Sequence, residues 1–335
     1  MKDHHPNRER HVGMKLNRNI YSPLGSLVIP ESTILTQIEL NLLEELNIEL
    51  CEEDVEESSI HRLVQAAFEE IREAFGQVRF GDLLTHGQAC EMIVPVIAHM
   101  IRYPVMRSVV SRLERHDECT CRHSIGVAIM AGIIGQALGL GESGLRELTI
   151  AGLIHDVGKA MVPPEILNKP GKLTPEEFER VKSHTVHGYM IIRNIAGLSE
   201  RLALVALRHH EREDGSGYPH GLRGDEMDEF SKIVAVADVF HAMISKRAYR
   251  DPVPLHEVFR ELYDLSFTKL ERTITRTFLR RMMELAVGHP VLLSDERIGV
   301  VRFVREEAPI HPVVEAGGVY IDLSRESSIR LERFL

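Results

Sequence analysis

The chain has 335 residues, 44% hydrophobic and 27% charged, enough for roughly two domains with real cores and unlike a disordered, collagen-like or disulfide-stapled chain. Forty basic against 50 acidic residues give a formal net charge of −10, which excludes a nonspecific binder of nucleic-acid polymers. Histidine is the unusual count, at 18, and prompts a search for metal ligands. The four cysteines, Cys51, Cys90, Cys119 and Cys121, are too sparse for a disulfide framework and point to a reducing, cytoplasmic setting.

In chain order, Met1 to Arg18 is polar and carries no apolar signal core. Pro6, Pro23, Gly25 and Pro30 surround the β-like run from Ser26 to Ile29, and a helix is expected from Thr33 to Leu46. Eight acidic residues and no basic one between Glu44 and Glu57 read as a solvated face or linker. Residues 1–55 thus form a small β/helical N-terminal module with an acidic linker. Ile60, Leu63, Val64, Ala67, Phe68, Ile71, Ala74 and Phe75 follow the 3.6-residue period up to Gly76, and helix continues from Arg79 to Arg115, so 56–112 is a helical connecting segment. The apolar stretches Met92 to Ile101 and Ile125 to Leu140 fall short of a membrane span, and the second, rich in glycine, reads as a closely packed core helix. Helix follows helix to Gly288, broken by loops at Met161 to Leu173 and Asp214 to Asp225. From Val291 the pattern turns β-like, with runs at Val300 to Val304 and Val319 to Leu323 and a Gly317-Gly318 turn.

The helical region, 113–290, offers His123, the pair His155-Asp156, His184, the pair His209-His210, and Asp238 at intervals of 25 to 32 residues. That spacing fits one ligand or pair per segment of a bundle converging on a two-metal site. Adjacent helix positions diverge by about 100°, so His155 and Asp156 can serve neighbouring metals while the carboxylate bridges them. Thr174, Pro175 and Glu177 form a capping-box start, and on that helix Phe178, Val181 and His184 share an inward face. Asp238 interrupts the apolar run from Ile233 to Phe240, where an unpaired carboxylate would be costly without a cation. Taken singly, each of these histidines could be a satisfied core residue; His187, His220 and His241 are read as surface residues or neighbours of the ligands.

The run His155-Asp156-Val157-Gly158-Lys159, then His209-His210-Glu211 and Asp214-Gly215-Ser216-Gly217-Tyr218-Pro219, resembles the HD-GYP family, a branch of the HD metal-dependent phosphohydrolases. The resemblance covers about Leu113 to Gly288 and takes in the run Ala237 to Phe240 and Ser245 to Arg250. It implies a mainly α fold: an HD-type helical bundle between the N-terminal module and a short β-rich C-terminal appendage at 291–335. It also implies hydrolysis of the bacterial messenger cyclic di-GMP to linear pGpG, and on to GMP in some members, by a metal-bridged hydroxide. Carried over by position, His123, His155, Asp156 and Asp238 hold one metal and His184, His209 and His210 the second, with Asp156 bridging. Lys159, Arg247 and Arg250 become phosphate contacts, Lys159 and Asp156 the catalytic pair, and Gly217, Tyr218 and Pro219 part of the substrate site. Without thiolates the set suits iron or manganese at least as well as zinc, with nickel, cobalt and magnesium as alternatives. The resemblance further implies docking of diguanylate cyclase (GGDEF) proteins at the Gly-Tyr-Pro loop, and the helices before residue 115 suit bundle packing or a homodimer.

Two departures qualify this. Family members with three metals carry a carboxylate four residues before the first histidine ligand, where this chain has Cys119, with Glu118 rotated away; two metals are therefore expected, with pGpG as the main product. Gly126 stands where members often have arginine. The alternatives are a hydrolase of another cyclic dinucleotide such as cyclic GMP-AMP, and a catalytically weak cyclic di-GMP sensor or adaptor.

Overall fold

The computed structural model describes residues 14–57, apart from 23, 24, 26, 32, 34, 36–38, 41, 44, 45 and 47, together with 120–245 and 253–335. The helices expected between Ile60 and Arg115, and Cys119, Arg247 and Arg250, lie outside the described residues. The chain divides into two compact units, Met1–Glu69 and Glu70–Leu335.

In the first unit β1 (Met14–Leu16) pairs antiparallel with β4 (Val55–Glu57), and β2 (Ile20–Tyr21) with β3 (Leu27–Ile29). Leu16, Ile20, Ile29, Leu35, Leu40, Leu43 and Val55 form its core. The acidic stretch is therefore not linker to its end, and the boundary expected at residue 55 cuts a strand. Asp54 is buried, accepting from Arg18 Nε at 2.5 Å and from the Cys51 amide at 2.9 Å. Its charge is matched, so the chain can continue from it into β4.

The second unit holds the helices α1 (Thr120–Ala137), α2 (Glu142–Ile154), α3 (Pro164–Leu167), α4 (Pro175–Lys182), α5 (His184–Arg193), α6 (Glu200–Arg208), α7 (Glu229–Ile244), α8 (Leu255–Leu265) and α9 (Arg272–Glu284). Every residue from Ser124 to Gly135 is buried, which is why α1 is apolar all round: α2, α7 and α9 pack against it. Among the described residues no helix is long and apolar enough to cross a membrane.

The chain ends in a five-stranded antiparallel sheet of β5 (Pro290–Leu293), β6 (Ile298–Phe303), β7 (Val313–Ala316), β8 (Val319–Asp322) and β9 (Leu331–Phe334), in the order β8-β7-β6-β5-β9. Gly317 and Gly318, both at positive φ, make the β7–β8 turn as the sequence suggests. The sheet has its own core around Val291, Val301 and Val314. Phe334 of β9 meets Phe259 of α8 at 6.1 Å between ring centroids, and Phe259 meets Phe240 of α7 at 6.3 Å. The C-terminal sheet is thus tied through aromatic contacts to the helix that carries Asp238.

Candidate metal centre

Three of the five ligand-bearing segments place their side chains at helix ends. α2 stops at Ile154, His155 closes it in αR geometry, and Asp156 leaves the helix at φ −99°, ψ 6° before a 3-10 turn, Val157–Met161. The divergence of this pair therefore comes from the end of the helix, and not from two positions on a continuous one. His209 caps α6 and His210 follows it, while His123 and Asp238 project from within α1 and α7. The capping box at Thr174 forms as expected: its side chain accepts from the Glu177 amide at 3.2 Å. The helix it starts ends at Lys182, however, and His184 opens α5. Phe178 is 45% exposed and α4 contributes no buried residue, so the inward face expected to join Phe178 to His184 does not exist.

The side chains gather into two adjoining groups, Asp156 with His184, His209 and His210, and His123 with His155 and Asp238. Asp156 lies between them. Its Oδ1 faces His184 Nε2 at 3.3 Å and His209 Nε2 at 3.8 Å, and its Oδ2 faces His155 Nε2 at 3.4 Å and His123 Nε2 at 3.6 Å. Asp238 Oδ1 is 3.0 Å from His123 Nε2, and its Oδ2 is 3.9 Å from His210 Nδ1.

The backbone fixes the tautomers. Nδ1 of His155 donates to the Gly152 carbonyl (2.8 Å), Nδ1 of His184 to Val181 (2.6 Å) and Nδ1 of His209 to Ala206 (3.0 Å). A carbonyl can only accept, so each Nδ1 carries the proton and each Nε2 turns a lone pair toward Asp156. His155 Nε2 and Asp156 Oδ1 are buried without a hydrogen-bond partner. Three imidazoles so oriented, with His123, His210 and Asp238 completing the two groups and two buried atoms unsatisfied, fit divalent cations.

Burial pulls His123 below its usual value, His209 well below it, and His210 down to about 3. For His155 the burial penalty is outweighed by Asp156 and Asp238, which raise it. Burial also works against the ionised carboxylates, yet Lys159 and the imidazoles hold Asp156 far below the usual range, and His123 does the same for Asp238. Ionised carboxylates beside mostly neutral imidazoles are the state a metal needs.

Lys159 Nζ lies 2.5 Å from Asp156 Oδ2, three residues on along the 3-10 turn. The Gly158 position admits no side chain: a Cβ there would overlap the His184 carbonyl and the Gly188 amide, so glycine lets the turn lie directly on α5. Gly217 is equally confined, its missing Cβ pointing at Glu211 Cα and the His210 carbonyl. Tyr218 then stacks on the His210 ring at 4.6 Å and 26°, and the Tyr218-Pro219 peptide is cis.

Some side chains at the site have roles that the sequence reading did not assign. Glu211 is buried and accepts from the His220 amide at 2.7 Å and the Leu222 amide at 2.9 Å, clamping the Gly-Tyr-Pro loop. Arg212 donates to the His209 and Glu211 carbonyls, which holds a cation beside the loop. His241, read as a surface residue or a neighbour of the candidate ligands, is the latter: it is buried with Nδ1 3.0 Å from His123 Nδ1 and 3.1 Å from Ser245 Oγ, whereas His220 is exposed. The sequence signal for Glu211 and Arg212 was their place directly after the double histidine.

The HD domain family matches residues 104–274. A cyclic di-GMP phosphodiesterase of Thermotoga maritima is 44% identical over 183 residues, 51% of this chain and 50% of the relative. One of Pseudomonas aeruginosa is 34% identical over 227 residues, covering 68% of this chain and 55% of its own length. A 3'3'-cGAMP-specific phosphodiesterase of Vibrio cholerae is 35% identical over 51% of this chain and 40% of its own. The chain thus spans about half the length of these relatives. Among solved structures, an HDG"Y"P protein of Bdellovibrio bacteriovorus shares the fold at a TM-score of 0.56 with 17% identity, over 79% of this chain and 94% of that one. The family match over half of the chain and the convergence of the His-Asp and His-His motifs on one centre agree: the chain belongs to the HD domain family.

Proposed function

We propose that this protein is a metal-dependent phosphodiesterase that hydrolyses cyclic di-GMP, with linear pGpG as the main product. The observation that carries the reading is the placement of Asp156 between two histidine groups, one carboxylate oxygen toward each. His123, His155, Asp156 and Asp238 would hold one divalent ion, and His184, His209 and His210, with Asp156, the other. Bound there, the ions supply Lewis acidity toward a phosphodiester and lower the pKa of water. Iron or manganese suits the nitrogen and oxygen donors.

The chain's own residues do the rest. Backbone carbonyls at Gly152, Val181 and Ala206 accept from Nδ1 of His155, His184 and His209 and so aim their Nε2 atoms at the centre. Lys159, at the edge of the centre beside Asp156, would meet a phosphate oxygen as a point charge while holding Asp156 ionised. Arg247 and Arg250 are assigned to the phosphates by the family pattern. Gly217, Tyr218 and Pro219 form the wall beside His210.

Two metals and not three, and arrest at pGpG, are supported by Cys119 standing where a further carboxylate would be needed. Cytoplasmic placement rests on the sparse cysteines. Docking of a GGDEF protein rests on the family pattern and on the exposure of Asp214, Ser216, His220 and Gly221, and a homodimer on the amphipathic pattern before residue 115. Hydrolysis of cyclic GMP-AMP is the second reading, favoured by the similarity to the Vibrio cholerae enzyme.

The test is anaerobic purification, metal analysis, and chromatography of products from cyclic di-GMP and cyclic GMP-AMP. The expected result is a metal-to-protein ratio near two and pGpG accumulation, abolished in Asp156→Ala. Turnover that persists in Asp156→Ala overturns the bimetal mechanism, and tight binding without turnover at any metal loading makes the protein a sensor.

A further inference from the structure

α4 is rigidly placed but gives nothing to the core. Its start is fixed by the Thr174 capping box and by Lys169, which donates to both Glu177 oxygens at 2.8 and 2.6 Å. The large apolar side chain on it, Phe178, instead meets Tyr218 edge to face, 6.3 Å between centroids and 77° between planes. Tyr218 is itself stacked on His210 and lies 6.5 Å from the His184 ring. The rings of His210, Tyr218 and Phe178 therefore form a row that runs from the metal centre to solvent. At its outer end Lys182, one turn after Phe178, sets Nζ 4.9 Å from the Phe178 centroid and 5.7 Å from that of Tyr218. Its ammonium is steadied by Glu179 at 2.7 Å.

The proposed substrate joins two purine bases through two phosphodiesters. With one phosphodiester at the centre, the base joined to it through a single ribose must lie within a few ring widths of His210. Apolar flat surface in water at that distance is what such a base can use, and 45% of Phe178 is exposed in spite of its contacts with Tyr218 and Lys182. We propose that Phe178 is the base-stacking wall of the site, with Lys182 over one face of its ring, so that a purine of the cyclic dinucleotide lies on the surface of Phe178 left to solvent. This inference rests on the cyclic dinucleotide reading. Stacking tolerates any purine, so Phe178 governs affinity and leaves the choice between guanine and adenine to other groups.

The test measures equilibrium binding of the phosphorothioate analogues of cyclic di-GMP and cyclic GMP-AMP to the metal-loaded full chain, with inorganic phosphate as the probe that has no base. Phe178→Leu keeps apolar packing on Tyr218 but removes the π face. It should weaken both dinucleotides by the same factor, roughly 5- to 150-fold for a stacking contribution of about 1–3 kcal/mol, and leave phosphate affinity and metal content unchanged. Phe178→Trp should bind at least as tightly as the native protein. Unchanged dinucleotide affinity in Phe178→Leu overturns the wall, as does a loss matched by lower phosphate affinity or metal content, which would assign Phe178 to holding Tyr218 over His210. A native protein that takes up two metals and binds phosphate but neither dinucleotide overturns the substrate reading and the wall with it.

Discussion

Glu211→Gln tests the claim that one buried carboxylate holds the Gly-Tyr-Pro loop against the metal centre. Glu211 is 1% exposed, and its two oxygens accept the His220 and Leu222 amides at 2.7 and 2.9 Å. Glutamine has nearly the same shape but keeps one acceptor, and its NH2 must face the other amide donor. The change removes one hydrogen bond to a charged group, worth about 1.5–3 kcal/mol, and leaves a buried N–H unsatisfied at about 1–3 kcal/mol more. A local cost of about 3–6 kcal/mol corresponds to roughly 10²- to 10⁴-fold faster exchange of the loop amides. Hydrogen–deuterium exchange over residues 214–225, read against α7 as an internal reference, measures this directly. Loop protection within tenfold of the native protein would refute the clamp. So would equal loss of protection in α7, because the effect would then be global unfolding and not release of the loop.

Gly158→Ala should cost more than about 3 kcal/mol, because a Cβ there overlaps backbone at His184 and Gly188 and no side-chain motion relieves it; urea unfolding reads the loss, and a midpoint within error of native would show that the turn and α5 can separate. Metal removal by a chelator should lower the melting temperature, since a ligand held at 100 times its Kd stabilises by about 2.7 kcal/mol, and an unchanged melting temperature would mean that the centre holds no metal. The pH dependence of the first unit follows from Asp54, whose carboxyl is held below its usual value chiefly by the hydrogen bond from Arg18. A depressed carboxyl stabilises the fold above its unfolded pKa, about 4, and that contribution fades as pH falls through the lower folded value. Asp54→Asn should therefore flatten the acid-induced rise in amide exchange of β1 and β4, and an unaltered acid limb would assign that rise to other groups.

All seven side chains that gather into the two His/Asp groups were legible because a site fit for divalent ions constrains residue type to histidine and aspartate at wide, regular intervals in an apolar helical background. The way they are presented was not legible. Periodicity reads helices as continuous, so His155 and Asp156 pass for two positions on one helix, and Phe178 for a core neighbour of His184. In the folded chain the helices break at Ile154 and Lys182, and those breaks do chemical work. A residue inside a helix has its carbonyl and amide committed to its own ladder and its side chain fixed by the period. A residue at a helix end is free to turn, as Asp156 does at φ −99°, and this lets one carboxylate address two groups of imidazoles. Breaks of this kind depend on close approaches such as Gly158 against His184, which belong to residues far apart in sequence and leave no periodic trace. The acidic run up to Glu57 was legible in part: Glu49, Glu53 and Glu56 are exposed as a solvated face requires, but charge counts say nothing of partners, and Arg18, distant in the chain, makes Asp54 a buried anchor at the start of β4. It follows that sequence patterns identify which side chains gather at this centre, while the turning of the two Asp156 oxygens toward different histidines is decided by where helices stop.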